Sequence, residues 1–174
     1  TEWSWAPLFA DFDNDGWKDM HITNGIGRYF IDADCLEFSK NIFNSSRNRE
    51  EQEKAIRKKL ASLDHVNLPN YLYINQRDLT FADLSDEGGI NEPSMSNGAA
   101  YADLDNDGDL DIIIARAFTA QKTANYLYIN NDDGTFTKSN DAVVQNSGWT
   151  YGVAFGDYDN DGWLDLFESR CYNE

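Results

Sequence analysis

The sequence predicts an all-β protein that is built from repeated antiparallel hairpins, and three observations lead to this prediction. A nine-residue pattern, D-x-D-N-D-G-x-x-D, occurs at 11–19, at 103–111 and at 157–165. The strand-like pentad Tyr-Leu-Tyr-Ile-Asn occurs at 71–75 and again 55 residues later, at 126–130. The second and third copies of the Asp-rich pattern begin 54 residues apart. A period of this length indicates a protein made of similar repeating units.

Each repeating unit is expected to contain four strands. In the better-defined unit the pentad forms one strand, the turn at 131–134 reverses the chain, and a strand through Thr135 and Phe136 follows. A second hairpin carries the Asp-rich loop between two further strands, such as 99–102 and 112–115. Four strands in about 50 residues are typical of a β-propeller blade. The chain holds five such hairpins, which is about two and a half blades.

The chain is predicted to be a single repeat domain with one helical insertion. The first Asp-loop hairpin covers 1–26, the insertion 27–69, the second repeat unit 70–124 and the third 125–174. A helix is expected at about 46–63, because Ser45 or Ser46 can cap it and a narrow apolar stripe follows acidic early turns. Two interpretations of this helix stay open: an amphipathic flap on the chain's own strands, or a positive contact for another subunit.

The Asp-rich pattern is a candidate calcium loop. Side-chain oxygens at positions 1, 3, 5 and 9, with the main-chain carbonyl at position 7, can surround a cation that takes six to eight oxygen ligands. An EF-hand is excluded, because position 12 is Ile22, Ile114 or Glu168 and the flanking sequence is strand-like. A plain polar turn is the alternative for a single copy, and recurrence favours calcium. The predicted ligands of three calcium sites are Asp11, Asp13, Asp15, Trp17 and Asp19; Asp103, Asp105, Asp107, Asp109 and Asp111; and Asp157, Asp159, Asp161, Trp163 and Asp165.

The composition is strongly acidic, with a formal net charge of −17. The three loops alone contain thirteen Asp and one Lys, so bound metal is expected to relieve carboxylate repulsion and to couple to folding. A surface of this sign disfavours nucleic acid and anionic membranes. No apolar run is long enough to predict membrane insertion.

Enzymatic activity is not expected. No H-E-x-x-H, G-x-S-x-G or phosphate-loop motif occurs, and nearly all paired carboxylates belong to the calcium loops. His21 is interpreted as a core residue, because Ile113 and Phe167 stand at the equivalent places in the other copies. His65 is interpreted as a residue of a surface turn.

The two cysteines and one asparagine leave further questions open. Cys35 and Cys171 would pair with each other, pair between chains, or stay buried as small apolar residues. Calcium loops of modest affinity are best filled outside the cell, where a disulfide is permitted. Asn44-Ser45-Ser46 matches the N-glycosylation pattern, although such triplets are frequent by chance.

The loops carry a family resemblance. ADFDNDGWKDM, ADLDNDGDLDIII and GDYDNDGWLDLF resemble the calcium loops of FG-GAP/VCBS repeats, the units of integrin-α-type propellers. YLYIN…DGTF and SNGAAYADLDNDGDLD are similar to the VCBS repeats of secreted bacterial proteins that often carry an ASPIC/UnbV domain. The resemblance covers nearly everything except the insertion. It implies extracellular blades with calcium held by the Asp residues at loop positions 1, 3, 5 and 9 and by the carbonyls of Trp17, Asp109 and Trp163.

The blade count departs from that family, because propellers close with four to eight blades. Three arrangements are open: part of a larger closed propeller, several chains that close a ring, or a head-to-tail array in which neighbours complete each other. We therefore expect a secreted structural or adhesive protein that self-associates into a filament or ring. The alternatives are a lectin-like or integrin-like fragment that binds a glycan or cell-surface protein, and a non-catalytic part of a larger secreted enzyme.

Overall fold

The computed structural model describes residues 3–25, 33–45, 48–64, 66–117, 124–140 and 148–171. Within this part of the chain, no helix has the length and apolar character needed to cross a bilayer. The elements, in chain order, are β1 Ser4–Ala10, β2 Asp19–Asn24, α1 Ala33–Phe43, α2 Arg49–Ala61, β3 Tyr71–Asn75, β4 Phe81–Asp83, β5 Ser96–Ala102, β6 Asp111–Arg116, β7 Tyr126–Asn130, β8 Phe136–Ser139, β9 Trp149–Gly156 and β10 Asp165–Cys171.

The described strands form three antiparallel sheets. The first has the order β1-β2-β3-β4, the second has the order β5-β6-β7-β8, and the third pairs β9 with β10. The register repeats between sheets: Leu8 and Leu72 flank His21 in the first, as Ala100 and Leu127 flank Ile113 in the second. Two four-stranded sheets and one two-stranded sheet confirm the predicted all-β blades.

The sheets stack face to face, with the second sheet in the middle. The first sheet packs through β1 and β2 on β5, and the third packs through β9 on β5 and β6. The contact between the first and second sheets contains Phe12, Leu72 and Tyr128, which are almost fully buried. The contact between the second and third sheets is centred on Ile113 and Leu127. Successive residues of a strand point to opposite faces, so the middle sheet contributes to both contacts.

The position of β6 explains why its sequence does not alternate between polar and apolar residues. Ile112 and Ile114 belong to the contact with the first sheet, whereas Ile113 belongs to the contact with the third. Residues 111–115 are all buried. A strand covered on both faces reads as a continuous apolar run.

Among the described residues between β2 and β3 there are two helices, rather than one. The expected helix at 46–63 is present as α2, and its N-cap is Asn48 instead of Ser45 or Ser46. The Asn48 side chain accepts from the N–H of Glu51, whose own carboxylate accepts from the N–H of Asn48, so the two form a capping box. The preceding helix, α1, was not predicted.

The apolar stripe expected on α2 is only partly covered. Ala55, Ile56 and Leu63 are half-buried and Leu60 is more exposed, so none of these side chains belongs to a core. The choice between a flap and a subunit contact therefore stays open. On α1, Cys35 is buried. The side chain of Cys171 and the whole of His65 lie outside the described residues, and the predictions made for them stay untested.

Candidate metal centre

The three Asp-rich loops share one backbone conformation, and it explains two letters of their pattern. Position 4 has a positive φ in every copy: 55° at Asn14, 61° at Asn106 and 58° at Asn160. Position 6 also has a positive φ, of 89°, 99° and 91° in the same order, and it is glycine each time. Asn and Gly are the residues that enter this region at least cost. The sequence interpretation explained the glycine but missed the asparagine.

Main-chain N–H groups orient the first carboxylate of each loop. In the first loop, Asp11 accepts from the N–H of Asp15 at 3.0 Å and from the N–H of Gly16 at 2.8 Å. In the third loop, Asp157 accepts from Asp161 and Gly162 at 3.1 and 3.0 Å. The turn that points these N–H groups inward thus holds a carboxylate at the centre of the loop. The loop therefore orients this carboxylate through its own main chain.

The carboxylate at position 9 closes the loop and ties it to the next strand. One oxygen of Asp19 accepts from the N–H of Phe12 at 2.8 Å, and the other accepts from the N–H of Asn75 at 2.9 Å. Asp111 repeats both contacts with Leu104 and Asn130, each at 2.9 Å. These two aspartates are almost fully buried.

Asp165, at position 9 of the third loop, has a different environment. It accepts from the N–H of Tyr158 at 2.9 Å, but it is exposed, whereas Asp19 and Asp111 each also accept a hydrogen bond from the third strand of their sheets. The third described sheet has only β9 and β10. The position-9 carboxylate therefore becomes buried only where a pentad strand pairs beside it.

The carboxylates converge to distances that suit a divalent ion. Oxygen atoms of three side chains lie within 4.8 Å of one another in each loop. Oxygens bound to one calcium at 2.3–2.6 Å lie at most about 5 Å apart, and carboxylate oxygens are the hard ligands that calcium takes. The donor set therefore fits calcium. The convergent groups are Asp11, Asp13 and Asp15; Asp103, Asp105 and Asp107; and Asp157, Asp159 and Asp165.

Only some of the predicted ligands of each site belong to these convergent groups. Asp19 and Asp111 lie outside the convergent groups of their loops, and both of their oxygens already accept main-chain hydrogen bonds. Asp161 lies outside the third group and accepts from the N–H of Trp163 at 2.8 Å. Asp109 is buried beside the first loop. The predicted carbonyl ligands of residues 17, 109 and 163 stay a prediction.

Burial and mutual repulsion make ionisation costly in these loops. Burial raises the pKa of Asp13 above its ordinary value of 3.8, and the negative charge of Asp15 raises it further. Burial also raises the pKa of Asp19 and of Asp111, against the main-chain N–H donors that lower it. A cation among these groups would offset this cost by favouring the charged form.

Neighbouring loops contact each other. The side-chain amide of Asn14 in the first loop donates to a carboxylate oxygen of Asp109 in the second. The side-chain amide of Asn130 donates to the main-chain carbonyls of Phe12, at 2.9 Å, and of Leu110, at 3.3 Å. The stacked sheets thus bring the first two loops side by side at one edge. The sequence interpretation did not find these contacts, although the recurring Asn at the end of each pentad was a signal.

A cationic side chain from another part of the chain contacts the first loop. Arg77, in the turn between β3 and β4, donates from Nε at 2.9 Å and from Nη2 at 2.7 Å to the same oxygen of Asp15. The hydrogen bond from Arg77 lowers the pKa of Asp15 below its ordinary value, in contrast to Asp13. No repeat signal pointed to Arg77, because the equivalent residue of the second unit is Asp132.

His21 is a core residue, as predicted. It is fully buried, its Nδ1 lies 2.9 Å from the carbonyl oxygen of Tyr71, and burial lowers its pKa to about 4. A neutral imidazole in this place packs between the first two sheets, as Ile113 packs between the second and the third.

Comparison with known proteins agrees with a chain built from repeats. The FG-GAP-like repeat family matches this chain twice, at residues 60–114 and 117–168, which together are more than half of its length. A segment of 51 residues, 29% of this chain, is 39% identical to cartilage acidic protein 1 of Homo sapiens. That segment spans 8% of the length of the human protein. Since the family matches two repeats across most of the described sheets, the chain belongs to the FG-GAP-like repeat family.

Proposed function

We propose that this chain is an extracellular structural or adhesive repeat protein whose three Asp-rich loops each bind calcium. The observation that carries the proposal is the convergence of three carboxylates within 4.8 Å in each loop, at the same step of a repeated hairpin. Family membership and the cartilage protein named above support an extracellular setting. There calcium is abundant enough to fill loops of modest affinity.

Calcium would act mechanically rather than chemically. It would supply positive charge between carboxylates that otherwise repel one another, and it would tie the two strands of each hairpin together. The chain's own residues already hold the loop closed through main-chain N–H groups, so the ion would complete an arrangement that folding begins. The carboxylates of the loops would then be unavailable as proton donors, which argues for a non-catalytic role.

Calcium titration of the purified chain tests this proposal. We expect calorimetry to count three sites, and the replacement of one position-3 aspartate, Asp13→Asn, Asp105→Asn or Asp159→Asn, to leave two. Each filled site should raise the melting temperature by roughly 5–10 °C at 100 times its Kd. Glu53→Gln, which makes the same charge change on the exposed face of α2, is the control. No heat of binding, and a melting temperature that chelation does not change, would overturn the proposal.

We also propose that the chain acts through head-to-tail association with further copies of itself. Phe9, Met20 and Tyr73 form one row on the open face of the first sheet, and they stand where Tyr101, Ile112 and Tyr128 stand in the second. That second row packs against the first sheet inside the chain. The open face of the first sheet is therefore equivalent to the face through which the second sheet packs against the first.

The open face of the third sheet is the counterpart. Phe167 occupies the place of His21 and Ile113, which are buried beneath the following sheet, yet Phe167 is 72% exposed. Phe9 at the other end is 51% exposed. Two copies that met through these ends would repeat a contact that the chain makes twice internally. Such a heterologous contact gives a ring if its rotation closes and a filament if it does not.

A further inference from the structure

The turn that follows each pentad strand reaches over the neighbouring Asp-rich loop, and it has the same backbone in both complete sheets. Arg77 and Asp132 are equivalent residues with φ of 63° and 57°, and Leu79 and Gly134 follow with φ of 71° and 79°. The N–H of Arg77 donates to Asn75 at 2.9 Å, and the N–H of Asp132 donates to Asn130 at 3.2 Å. The two turns differ in the charge of the side chain that they present.

In the first sheet this side chain is a cation, and it already donates hydrogen bonds to a carboxylate oxygen. The guanidinium of Arg77 makes two hydrogen bonds, from Nε and Nη2, to one oxygen of Asp15. Asp15 is one of the three convergent carboxylates of its loop, and its side chain is 15% exposed against 57% for Arg77. The positive charge is therefore fixed at the rim of the candidate site and is held there from the solvent side.

In the second sheet the same position is an anion. Asp132 lies close enough to the second loop for its charge to raise the pKa of Asp109, after the larger effect of burial. Asp109, at position 7 of the second loop, does not distinguish the two sites, because its carboxylate lies between the loops and accepts from Asn14 of the first. The second site is thus surrounded by more negative charge than the first, although both loops have the same fold.

We propose that Arg77 is a built-in counter-ion of the first loop, which makes that loop the weaker of the first two calcium sites and the one that stays ordered without metal. This inference rests on the proposed calcium function. A unit positive charge a few Å from a divalent ion lowers its affinity by roughly tenfold in a water-like dielectric, and added salt screens part of this effect. As calcium rises, the second loop would fill before the first.

Changing the charge that each turn presents tests the inference in the full chain. The first site is measured alone after Asp105→Asn and Asp159→Asn, and the second alone after Asp13→Asn and Asp159→Asn, by calorimetric titration with calcium chloride. We expect the second site to bind about a hundredfold more tightly than the first, because the two turns differ by two unit charges. Arg77→Gln should strengthen the first site about tenfold, and Asp132→Arg should weaken the second about a hundredfold, because the first variant changes the charge by one unit and the second by two. Arg49→Gln, which removes an exposed positive charge on α2, is the control and should change neither.

A measurement without metal separates this inference from the calcium proposal. In metal-free buffer, Arg77→Gln should speed hydrogen exchange at the N–H groups of Gly16 and Trp17, whose acceptors are Asp11 and Asp15, and Arg49→Gln should not. If both sites bind calcium but Arg77→Gln acts no differently from Arg49→Gln, the counter-ion role is wrong and the calcium proposal stands. If neither site binds calcium, the calcium proposal fails, and the proposed order of filling fails with it.

Discussion

The side-chain amide of Asn130, at the end of β7, donates a hydrogen bond of 2.9 Å to the main-chain carbonyl of Phe12, 118 residues earlier in the chain. Phe12 is the second residue of the first Asp-rich loop, and its own N–H donates to Asp19. One asparagine of the second sheet thus helps to fix a loop of the first. Because sheets stack with their loops at one edge, the shape of each loop depends on the adjacent sheet as well as on its own hairpin.

We expect Asn130→Ala to destabilise the protein by about 1–3 kcal/mol, because it leaves the buried carbonyl of Phe12 without its donor. Chemical denaturation of the metal-free protein measures this loss. Asn75→Ala is the matched variant, since Asn75 donates to Lys18 within its own sheet. Asn130→Ala should speed hydrogen exchange in the first loop as well as in the second, whereas Asn75→Ala should affect the first loop alone. A loss no larger than that of Asn131→Ala, an exposed neighbour, would contradict the coupling.

Two opposing contributions set how the stability of the metal-free protein depends on pH between about 4 and neutrality. Burial lowers the pKa of His21 from 6.5 to about 4, so in this window the unfolded state binds the extra proton and His21 makes stability rise with pH. The buried aspartates have the opposite effect. The pKa values of Asp13, Asp19 and Asp111 are raised above 3.8, mainly by burial, so the folded state binds more protons than the unfolded state in the window above that value. Asp15 has a lowered pKa and acts in the opposite direction, with its stabilisation lost as pH falls through that lowered value.

Thermal melting after metal removal on a chelating resin checks this pH dependence. Asp111→Asn should make the melting temperature rise more steeply, or fall less steeply, with pH, because it removes one of the aspartates with a raised pKa. With saturating calcium the melting temperature should rise more steeply with pH than it does without metal, since calcium binds the ionised carboxylates and releases their protons. A pH dependence that Asp111→Asn leaves unchanged would contradict the assignment of burial as the dominant cause.

Head-to-tail association predicts that the two open faces complement each other. Phe9→Lys and Phe167→Lys should each abolish the assembly of the calcium-loaded chain, because each puts a charge on a face that must lose its water. An equimolar mixture of the two variants should form dimers, since each retains the face that the other has lost. Sedimentation velocity measures this. Leu79→Lys, at a fully exposed turn, should assemble normally. If the mixture stays monomeric while the unchanged chain assembles, association uses another surface.

The sequence by itself determined the repeated blades, the three Asp-rich loops and the core position of His21. Each depends on local information: a period of two along a strand, a glycine or asparagine where φ is positive, and a residue's place within the repeat. The start signal of α2 was also local, but several neighbouring side chains could cap the helix, so its N-cap was placed two or three residues too early.

Only the tertiary structure decided which residues of different sheets meet at the loops. The contacts of Asn14 with Asp109 and of Arg77 with Asp15 join residues 95 and 62 positions apart. Their partners follow from how the sheets stack and how each turn leans over its neighbour, and neither is encoded in a local pattern. For the same reason the sequence made the first two loops look alike, whereas the charges that surround them in the fold make them different.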